Sequence, residues 1–209
     1  MSEISLELLN EDEQENLFKL SSFFNEGGYL AGGTALMLQL CFRRSYDFDL
    51  FFSYEIPEKF LRNASEIFEK NIKVLINSKD ELTFISPDKV KISFIYFPFK
   101  RKYKIIDYKS IRITDFKDIA SDKAYVIGRR PQYRDYIDLF FIIKSGFGLN
   151  KIVKDSRDKF GGEFSEKLFL SQLVYFEDIS DYTIEFTEGF VSKDDVKSFF
   201  ENQIKFYYK

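Results

Sequence analysis

Histidine and tryptophan are both absent from this 209-residue chain, and cysteine occurs once. Without histidine the chain cannot build Ser-His-Asp or Cys-His catalysis, nor a zinc or iron site with imidazole ligands. The single cysteine, Cys41, cannot close an internal disulfide. Any chemistry must therefore rest on carboxylates, lysine, arginine, tyrosine or hydroxyl groups, and oxygen ligands of that kind suit Mg²⁺ or Mn²⁺.

Long apolar runs are also missing. The longest, such as 50–52 and 139–143, are far shorter than the roughly 20 residues that cross a bilayer. The first residues, Met1 to Ser5, lack the basic region and apolar stretch of a secretory signal. We therefore expect a cytoplasmic protein with no membrane partner.

Charge is nearly balanced overall, at −3, but it is unevenly spread. Residues 100–134 hold eleven Lys or Arg against four Asp, whereas 3–15 carry six acids and no base, and 177–201 carry eight acids against two Lys. A polyanion would dock at the basic middle, although such charges can equally serve only to solvate helix and strand faces.

Hydrophobic periodicity predicts an α+β fold, with a mixed or antiparallel sheet flanked by helices and followed by a helical lobe. We place the lobes at 1–113 and 114–209, and expect the second to complete the active site. Strands are predicted at 29–31, 46–53, 72–77, 81–86, 90–97 and 103–113, and helices at about 5–25, 34–42, 57–70, 115–127, 131–145, 149–159, 164–175 and 193–207.

A glycine pair, Gly32-Gly33, lies between a predicted strand and a predicted helix. Thr34 stands near the N-cap of that helix. Backbone N–H groups can approach a phosphate there, and the helix N-terminus adds partial positive charge. A Gly-Gly pair is also common as a simple turn, so the prediction of a phosphate site depends on the acids that follow it.

Two acids, Asp47 and Asp49, follow one helix later and alternate with Phe48, Leu50 and Phe52. On a strand they would share one face, about 7 Å apart, and could converge on one cation. Carboxylates near a phosphate loop repel a triphosphate unless Mg²⁺ lies between them. We therefore predict a metal site at these acids. Arg43 and Arg44 precede them, and could bind phosphates or the acceptor, or cap the C-terminus of the preceding helix.

These residues carry a family resemblance. Residues 32–36, Gly-Gly-Thr-Ala-Leu, and 44–51, Arg-Ser-Tyr-Asp-Phe-Asp-Leu-Phe, resemble the nucleotidyltransferase fold of DNA polymerase beta type, and more narrowly the AbiEii toxin family. Residues 118–124 and 134–140 are similar to that family's later lysine and aspartate motifs. The resemblance implies a toxin that transfers a nucleotide from an NTP to an RNA acceptor, such as a tRNA end, and that a cognate antitoxin blocks.

The resemblance also implies the site. Gly32, Gly33, Thr34, Arg44, Ser45 and Lys123 would bind the nucleotide. The catalytic set would be Asp47, Asp49, Lys123, Asp135 and Asp138. Lys123 interrupts an apolar helical stripe, so it is aimed into a site or reaches out to solvent. Which of Asp135 and Asp138 enters the cleft is left open.

One departure concerns the third carboxylate that many such enzymes place on a neighbouring strand. Ser93 occupies that position here. Base catalysis then falls to Asp49, Asp135 or a metal-bound hydroxide, or no base is used. Two alternatives stay open: an enzyme modifying a small hydroxylated molecule such as an aminoglycoside, and a nucleotide-sensing or protein-binding module without turnover.

Overall fold

A computed structural model of the protein describes residues 4–179 and 181–209. Its strands form one seven-stranded mixed sheet, and its helices precede, interrupt and follow that sheet. The predicted α+β fold class is therefore confirmed. The strands are β1 (Tyr29–Ala31), β2 (Phe48–Phe52), β3 (Lys73–Asn77), β4 (Glu81–Ile85), β5 (Lys91–Tyr96), β6 (Ile106–Tyr108) and β7 (Ile111–Ile113).

The helices agree closely with the hydrophobic periodicity in the second half of the chain. They are α1 (Glu11–Lys19), α2 (Ser21–Asn25), α3 (Gly32–Leu40), α4 (Lys59–Ile67), α5 (Phe116–Ile127), α6 (Tyr133–Lys144), α7 (Leu149–Phe160), α8 (Glu166–Gln172) and α9 (Lys193–Tyr207). Among the described residues, none of these helices has the length and apolar content needed to cross a membrane.

The N-terminal segment corrects one prediction, because the helix expected over 5–25 is three pieces. A 3₁₀ turn spans Leu6–Leu8, and α1 and α2 follow it. Asn10 starts α1 with a capping box, in which its side chain accepts from the Glu13 N–H while the Glu13 carboxylate accepts from the Asn10 N–H. A cap at Asn10 forces the chain to begin a new helix there.

Three other elements also have boundaries that differ from the predicted ones. Strand β2 begins at Phe48, so Asp47 lies just before it rather than within it. The long strand predicted over 103–113 is a short hairpin of β6 and β7. Helix α3 begins at Gly32 with Ala31 at its N-cap, so Thr34 lies in the first turn instead of capping it.

The sheet runs in the order β3-β4-β5-β2-β1-β7-β6. Strand β2 is central: it pairs antiparallel with β1 and parallel with β5. Residue Asp49 lies opposite Ala31 of β1 on one side and Ser93 of β5 on the other. This register places Asp49 of β2 between Ser93 and the end of β1, where the glycine turn follows.

The chain divides into two compact units. The sheet unit contains the chain up to Cys41 together with Ser45–Lys100 and Lys104–Asp115, and the helical unit contains Phe42–Arg44, Arg101–Tyr103 and Phe116–Lys209. The sheet unit's core holds a cluster of phenylalanine rings, with Phe23 and Phe94 centroids 4.5 Å apart. In the helical unit, α5, α6 and α7 bury Ile119, Ile137 and Ile152.

Candidate active site

The glycine turn and the second acid lie directly against each other. Gly32 has φ +67°, in the left-handed region that side chains disfavour. A Cβ atom placed on Gly32 would lie only 2.6 Å from Asp49 Oδ2. Glycine is therefore needed here both for its backbone conformation and for the space that the carboxylate takes.

Hydrogen bonds from Thr34 connect this turn to Ser45 and Asp47. The Thr34 side chain is buried, and its hydroxyl donates to the Asp47 carbonyl and lies 3.0 Å from Ser45 Oγ. Thr34 thus positions the backbone of Asp47, a function that its predicted role as an N-cap did not include. Its prediction as a nucleotide-binding residue stays a prediction.

The two acids are both partly exposed. Asp49 is half-buried within β2, and Asp47, just before the strand, has 42% of its side chain exposed. Phe48, Leu50 and Phe52, on the opposite face, are completely buried. The alternation predicted from the sequence therefore holds, with one face in the core and the acids on the other.

Lys91 is a neighbour of Asp47 that no pattern in the sequence indicates. Its Nζ lies 3.2 Å from Asp47 Oδ2, and 45% of its side chain is exposed. The pairing follows from the parallel register of β2 and β5, which brings the start of one strand to the start of the other. A cation beside the acid pair partly neutralises it and can turn towards a phosphate.

Ser93 stands where the third carboxylate was expected, and it is linked to an acid one strand further on. The Ser93 and Thr83 hydroxyl oxygens are 3.0 Å apart, and both side chains are buried. Thr83 Oγ1 in turn donates to Glu81 Oε1 of the same strand, β4. The row from Asp49 through Ser93 and Thr83 to Glu81 lies on one face of the sheet.

The acid pair fits a magnesium site completed by a substrate. Among the described residues no group of three or more metal-binding side chains occurs. Mg²⁺ bound with nucleotides typically takes only one or two carboxylates, with phosphate oxygens and water filling its other positions. Asp47 and Asp49 supply that number, and Gly32 of the glycine turn lies against Asp49, so the residues present suit a metal-bound nucleotide better than a metal alone.

The predicted lysine and aspartates of the helical unit form one buried ionic cluster. Lys123 Nζ lies 2.6 Å from Asp135 Oδ1 and 2.7 Å from Asp138 Oδ2. Arg43 forms a bidentate ion pair with Asp138, with Nε 2.7 Å from Oδ1 and Nη2 2.9 Å from Oδ2. The sequence had left the role of Arg43 open. Two positive and two negative groups thus balance.

Electrostatics hold this cluster in its charged form. Burial by itself raises the pKa of Asp138, but the charges of Arg43 and Lys123 outweigh it and the pKa falls below its usual range. Burial likewise works against a charged Lys123, yet Asp135 and Asp138 raise its pKa. Asp135 Oδ2 is buried and accepts no hydrogen bond from any described residue. A buried acceptor without a donor costs free energy, so this oxygen favours a further hydrogen-bond donor.

The remaining predicted residue, Arg44, belongs to the helical unit, and its backbone N–H donates to the Glu185 carbonyl at 2.8 Å. Ser45 begins the next segment of the sheet unit. Their predicted contacts with a nucleotide remain predictions.

A cavity of about 250 Å³ borders Asp47 within the sheet unit. Its lining is rich in charge, with four acids against two lysines: Asp12, Glu13, Asp47 and Asp88 face Lys89 and Lys91, and Asn10, Tyr46 and Val90 complete the wall. A pocket with this lining attracts a polar, positively charged molecule more strongly than an anion.

The basic stretch 100–134 is partly neutralised within each unit. Lys102 contacts Asp155 and Asp158, Arg112 contacts Asp107, and Lys123 belongs to the buried cluster. These pairings reduce the positive charge on which the expectation of a polyanion partner rested.

Comparison with known proteins agrees with this geometry. Residues 17–202 match the family described as Nucleotidyl transferase AbiEii toxin, Type IV TA system. The chain is 32% identical over 209 residues to the uncharacterised protein aq_aa25 of Aquifex aeolicus strain VF5, with 95% of this chain and 97% of that protein covered.

Two solved structures are similar in fold. JHP933 from Helicobacter pylori matches with a TM-score of 0.50 at 18% identity, covering 82% of this chain and 74% of its own. ANT(2″)-Ia in complex with adenylyl-2″-tobramycin matches with a TM-score of 0.50 at 12% identity, covering 71% of this chain and 97% of its own. At these identities the likeness shows a shared fold.

Proposed function

Because this chain belongs to the AbiEii nucleotidyltransferase toxin family, we propose that it transfers the NMP portion of a metal-bound NTP to an acceptor hydroxyl on RNA, with tRNA as the first candidate. Pyrophosphate is the second product. The observation that carries this proposal is the contact between the glycine turn and Asp49. A Cβ atom at position 32 would lie 2.6 Å from Asp49 Oδ2, so glycine leaves the room that this carboxylate occupies.

The roles follow from chemistry at these atoms. The backbone of Gly32 and Gly33, with Ser45 nearby, would bind the triphosphate, while Thr34 keeps Asp47 in position. Asp47 and Asp49 would hold Mg²⁺ or Mn²⁺, which supplies positive charge between carboxylates and phosphates when bound. Phosphoryl transfer depends chiefly on such positioning and charge neutralisation.

Three residues of the helical unit also have proposed roles. We propose that Lys123 contacts the nucleotide, and that Asp135 rather than Asp138 is the acid available to it, with Arg44 as a further phosphate ligand. Asp138 is fully buried and held at both oxygens by Arg43 and Lys123, whereas Asp135 keeps one oxygen that no described residue satisfies.

The direct test incubates the protein with Mg²⁺, each α-labelled NTP and total tRNA. We expect label to enter the RNA with wild-type protein and not with Asp49→Asn. Asp80→Asn is the matched control, because Asp80 is an exposed acid of the same unit outside the site. Equal labelling by wild type and Asp49→Asn would contradict the proposed site.

A cytoplasmic toxin with a cognate antitoxin, active in abortive infection, follows from the family and is part of this proposal. Expression in a bacterial host should arrest growth, and Asp49→Asn should relieve the arrest. Growth arrest that survives Asp49→Asn would separate toxicity from nucleotide transfer.

A second candidate acceptor is a small, positively charged, hydroxylated molecule. The cavity beside Asp47 favours it, because its lining carries more acids than lysines. The fold likeness to ANT(2″)-Ia, whose structure holds adenylyl-2″-tobramycin, is consistent with this candidate. Replacing tRNA with tobramycin in the same assay distinguishes the two acceptors. A melting-temperature rise with MgNTP but no product from either would instead indicate a nucleotide-binding module.

A further inference from the structure

We propose that Glu81 is the terminal base of a proton relay, running from Ser93 through Thr83, that serves the acceptor hydroxyl. This inference rests on the proposed nucleotidyl transfer. It assigns the missing base to an acid two strands away from Asp49, in a position that no spacing in the sequence indicates.

The first step is the placement of the three side chains. Parallel pairing sets Ser93 beside Asp49, and antiparallel pairing sets Thr83 beside Ser93. Glu81 precedes Thr83 by two residues on β4, so its side chain leaves the same face of the sheet. The carboxylate then folds back to accept from Thr83 Oγ1.

The second step is the direction of the hydrogen bonds. A hydroxyl has one proton to donate, and an ionised carboxylate can only accept. Because a bond to a charged acceptor is the stronger one, the Thr83 proton goes to Glu81. The Ser93 and Thr83 hydroxyl oxygens are 3.0 Å apart, a contact that either hydroxyl can donate. With the Thr83 proton directed to Glu81, the relay assigns Ser93 as the donor to Thr83. The lone pairs of Ser93 Oγ are left to accept from a third group.

The third step is the chemistry that this orientation permits. The acceptor oxygen forms a bond to the α-phosphorus while the bond from that phosphorus to the bridging oxygen breaks, and pyrophosphate leaves with the electron pair. The acceptor's proton moves to Ser93 Oγ, the Ser93 proton moves to Thr83, and the Thr83 proton moves to Glu81. Atoms and charge balance without any further reactant.

The fourth step is the return of the proton to water. Ser93 and Thr83 are only 3% and 2% exposed, so a proton taken up by Ser93 leaves along the hydrogen-bonded side chains rather than directly into bulk water. Glu81 is half-buried and reaches the surface. A buried pair of hydroxyls ending at a partly exposed carboxylate has the form that a relay needs, and it explains why Ser93 can stand where a carboxylate was expected.

The test measures single-turnover transfer from α-labelled MgNTP to total tRNA. For Glu81→Gln we expect a rate about 100-fold lower, as for loss of a general base, with the MgNTP dissociation constant within about two-fold of wild type.

Variants of the middle and first positions separate the relay from a structural role. Thr83→Val should lower the rate as much as Glu81→Gln, and the double variant should be no slower, because both break one chain. Thr83→Ser keeps the hydroxyl and should retain the rate. Ser93→Asp, added to Glu81→Gln, puts a carboxylate directly at the first position of the relay and should restore transfer. Glu58→Gln, an exposed glutamate of the same unit, is the control.

The outcomes are distinct. Wild-type rates in Glu81→Gln and Thr83→Val, while Asp49→Asn is inactive, would overturn the relay and leave the proposed function intact. A rate loss matched by weaker MgNTP binding would overturn it too, by assigning Glu81 to binding. No transfer by wild type to tRNA or tobramycin would remove both proposals together.

Discussion

At the scale of single residues, Gly32 combines two constraints that are seldom found together. Its φ of +67° disfavours any side chain, and the space a Cβ would fill is taken by Asp49 Oδ2. Glycine here is therefore a requirement of the site as much as of the turn, and a substitution should affect both stability and ligand binding.

We predict that Gly32→Ala costs about 1–3 kcal/mol of unfolding free energy through its strained backbone. It should also weaken Mg²⁺-dependent nucleotide binding, because the new methyl group displaces the Asp49 carboxylate. Urea unfolding and equilibrium nucleotide binding measure the two effects. Gly148→Ala is the control, since Gly148 has φ −65° and open space around it. Unchanged nucleotide binding in Gly32→Ala would contradict the site.

Lys91 gives a second prediction at this scale. Its ammonium group lies 3.2 Å from Asp47, where it repels an incoming divalent ion. Lys91→Met should therefore bind Mn²⁺ several-fold more tightly in the absence of nucleotide, as measured by the signal of free Mn²⁺ in electron paramagnetic resonance. Lys79→Met removes a comparable exposed lysine that pairs with Glu55, away from the acids, and should change nothing. Equal Mn²⁺ affinity in all three proteins would place the metal elsewhere.

At the scale of elements, helices α5 and α6 are joined by the buried cluster of Lys123, Asp135 and Asp138, with Arg43 completing it. Buried ion pairs add little net stability when intact, but removing one partner leaves an uncompensated charge in the interior. The cluster therefore fixes how the two helices pack, and it is sensitive to single substitutions.

We predict that Asp138→Ala destabilises the protein by about 3–5 kcal/mol, because Arg43 and Lys123 lose their shared acceptor. The measurement is urea unfolding at neutral pH. Asp158→Ala, which breaks the exposed contact with Lys102, should have little effect. A similar small loss in both variants would show that Arg43 and Lys123 find other partners.

The same aspartate predicts a dependence of stability on pH. Its pKa in the folded protein lies below the usual value, which is about 3.9 in an unfolded chain. On acidification the unfolded chain takes up this proton first, so the stabilisation is present above about pH 4 and is lost as the pH falls through the folded pKa. In urea unfolding measured across pH, the free energy of unfolding of Asp138→Asn should lack this decrease at acidic pH. The same decrease in wild type and in Asp138→Asn would contradict the assignment.

At the scale of the whole molecule, ligand linkage offers a test that needs no acceptor. A nucleotide that binds only the folded protein stabilises it by about 2.7 kcal/mol at 100 times its dissociation constant. MgNTP should therefore raise the melting temperature of wild type, and should have no effect on the variant with both Asp47→Ala and Asp49→Ala. A rise of equal size in that variant would show that the nucleotide binds away from the acids.

Much of this organisation could be predicted from the sequence. The alternation of Asp47 and Asp49 with Phe48, Leu50 and Phe52 predicted a strand with a buried and an open face, because side chains alternate along any strand. The helices of the second half were predicted to within a few residues, since their apolar positions recur at helical spacing. The helix expected over 5–25 was wrong, because the capping box at Asn10 overrides a periodicity that continues through it.

Composition and local pattern by themselves determined the available chemistry: no histidine, a glycine turn after a strand, and two acids one helix later. Only the tertiary structure decided which side chains meet. Lys91 reaches Asp47, Arg43 reaches Asp138 across 95 positions, and Ser93 meets Thr83, through strand register and helix packing. Contacts of this kind depend on long-range pairing, and residue spacing along the chain carries no record of it.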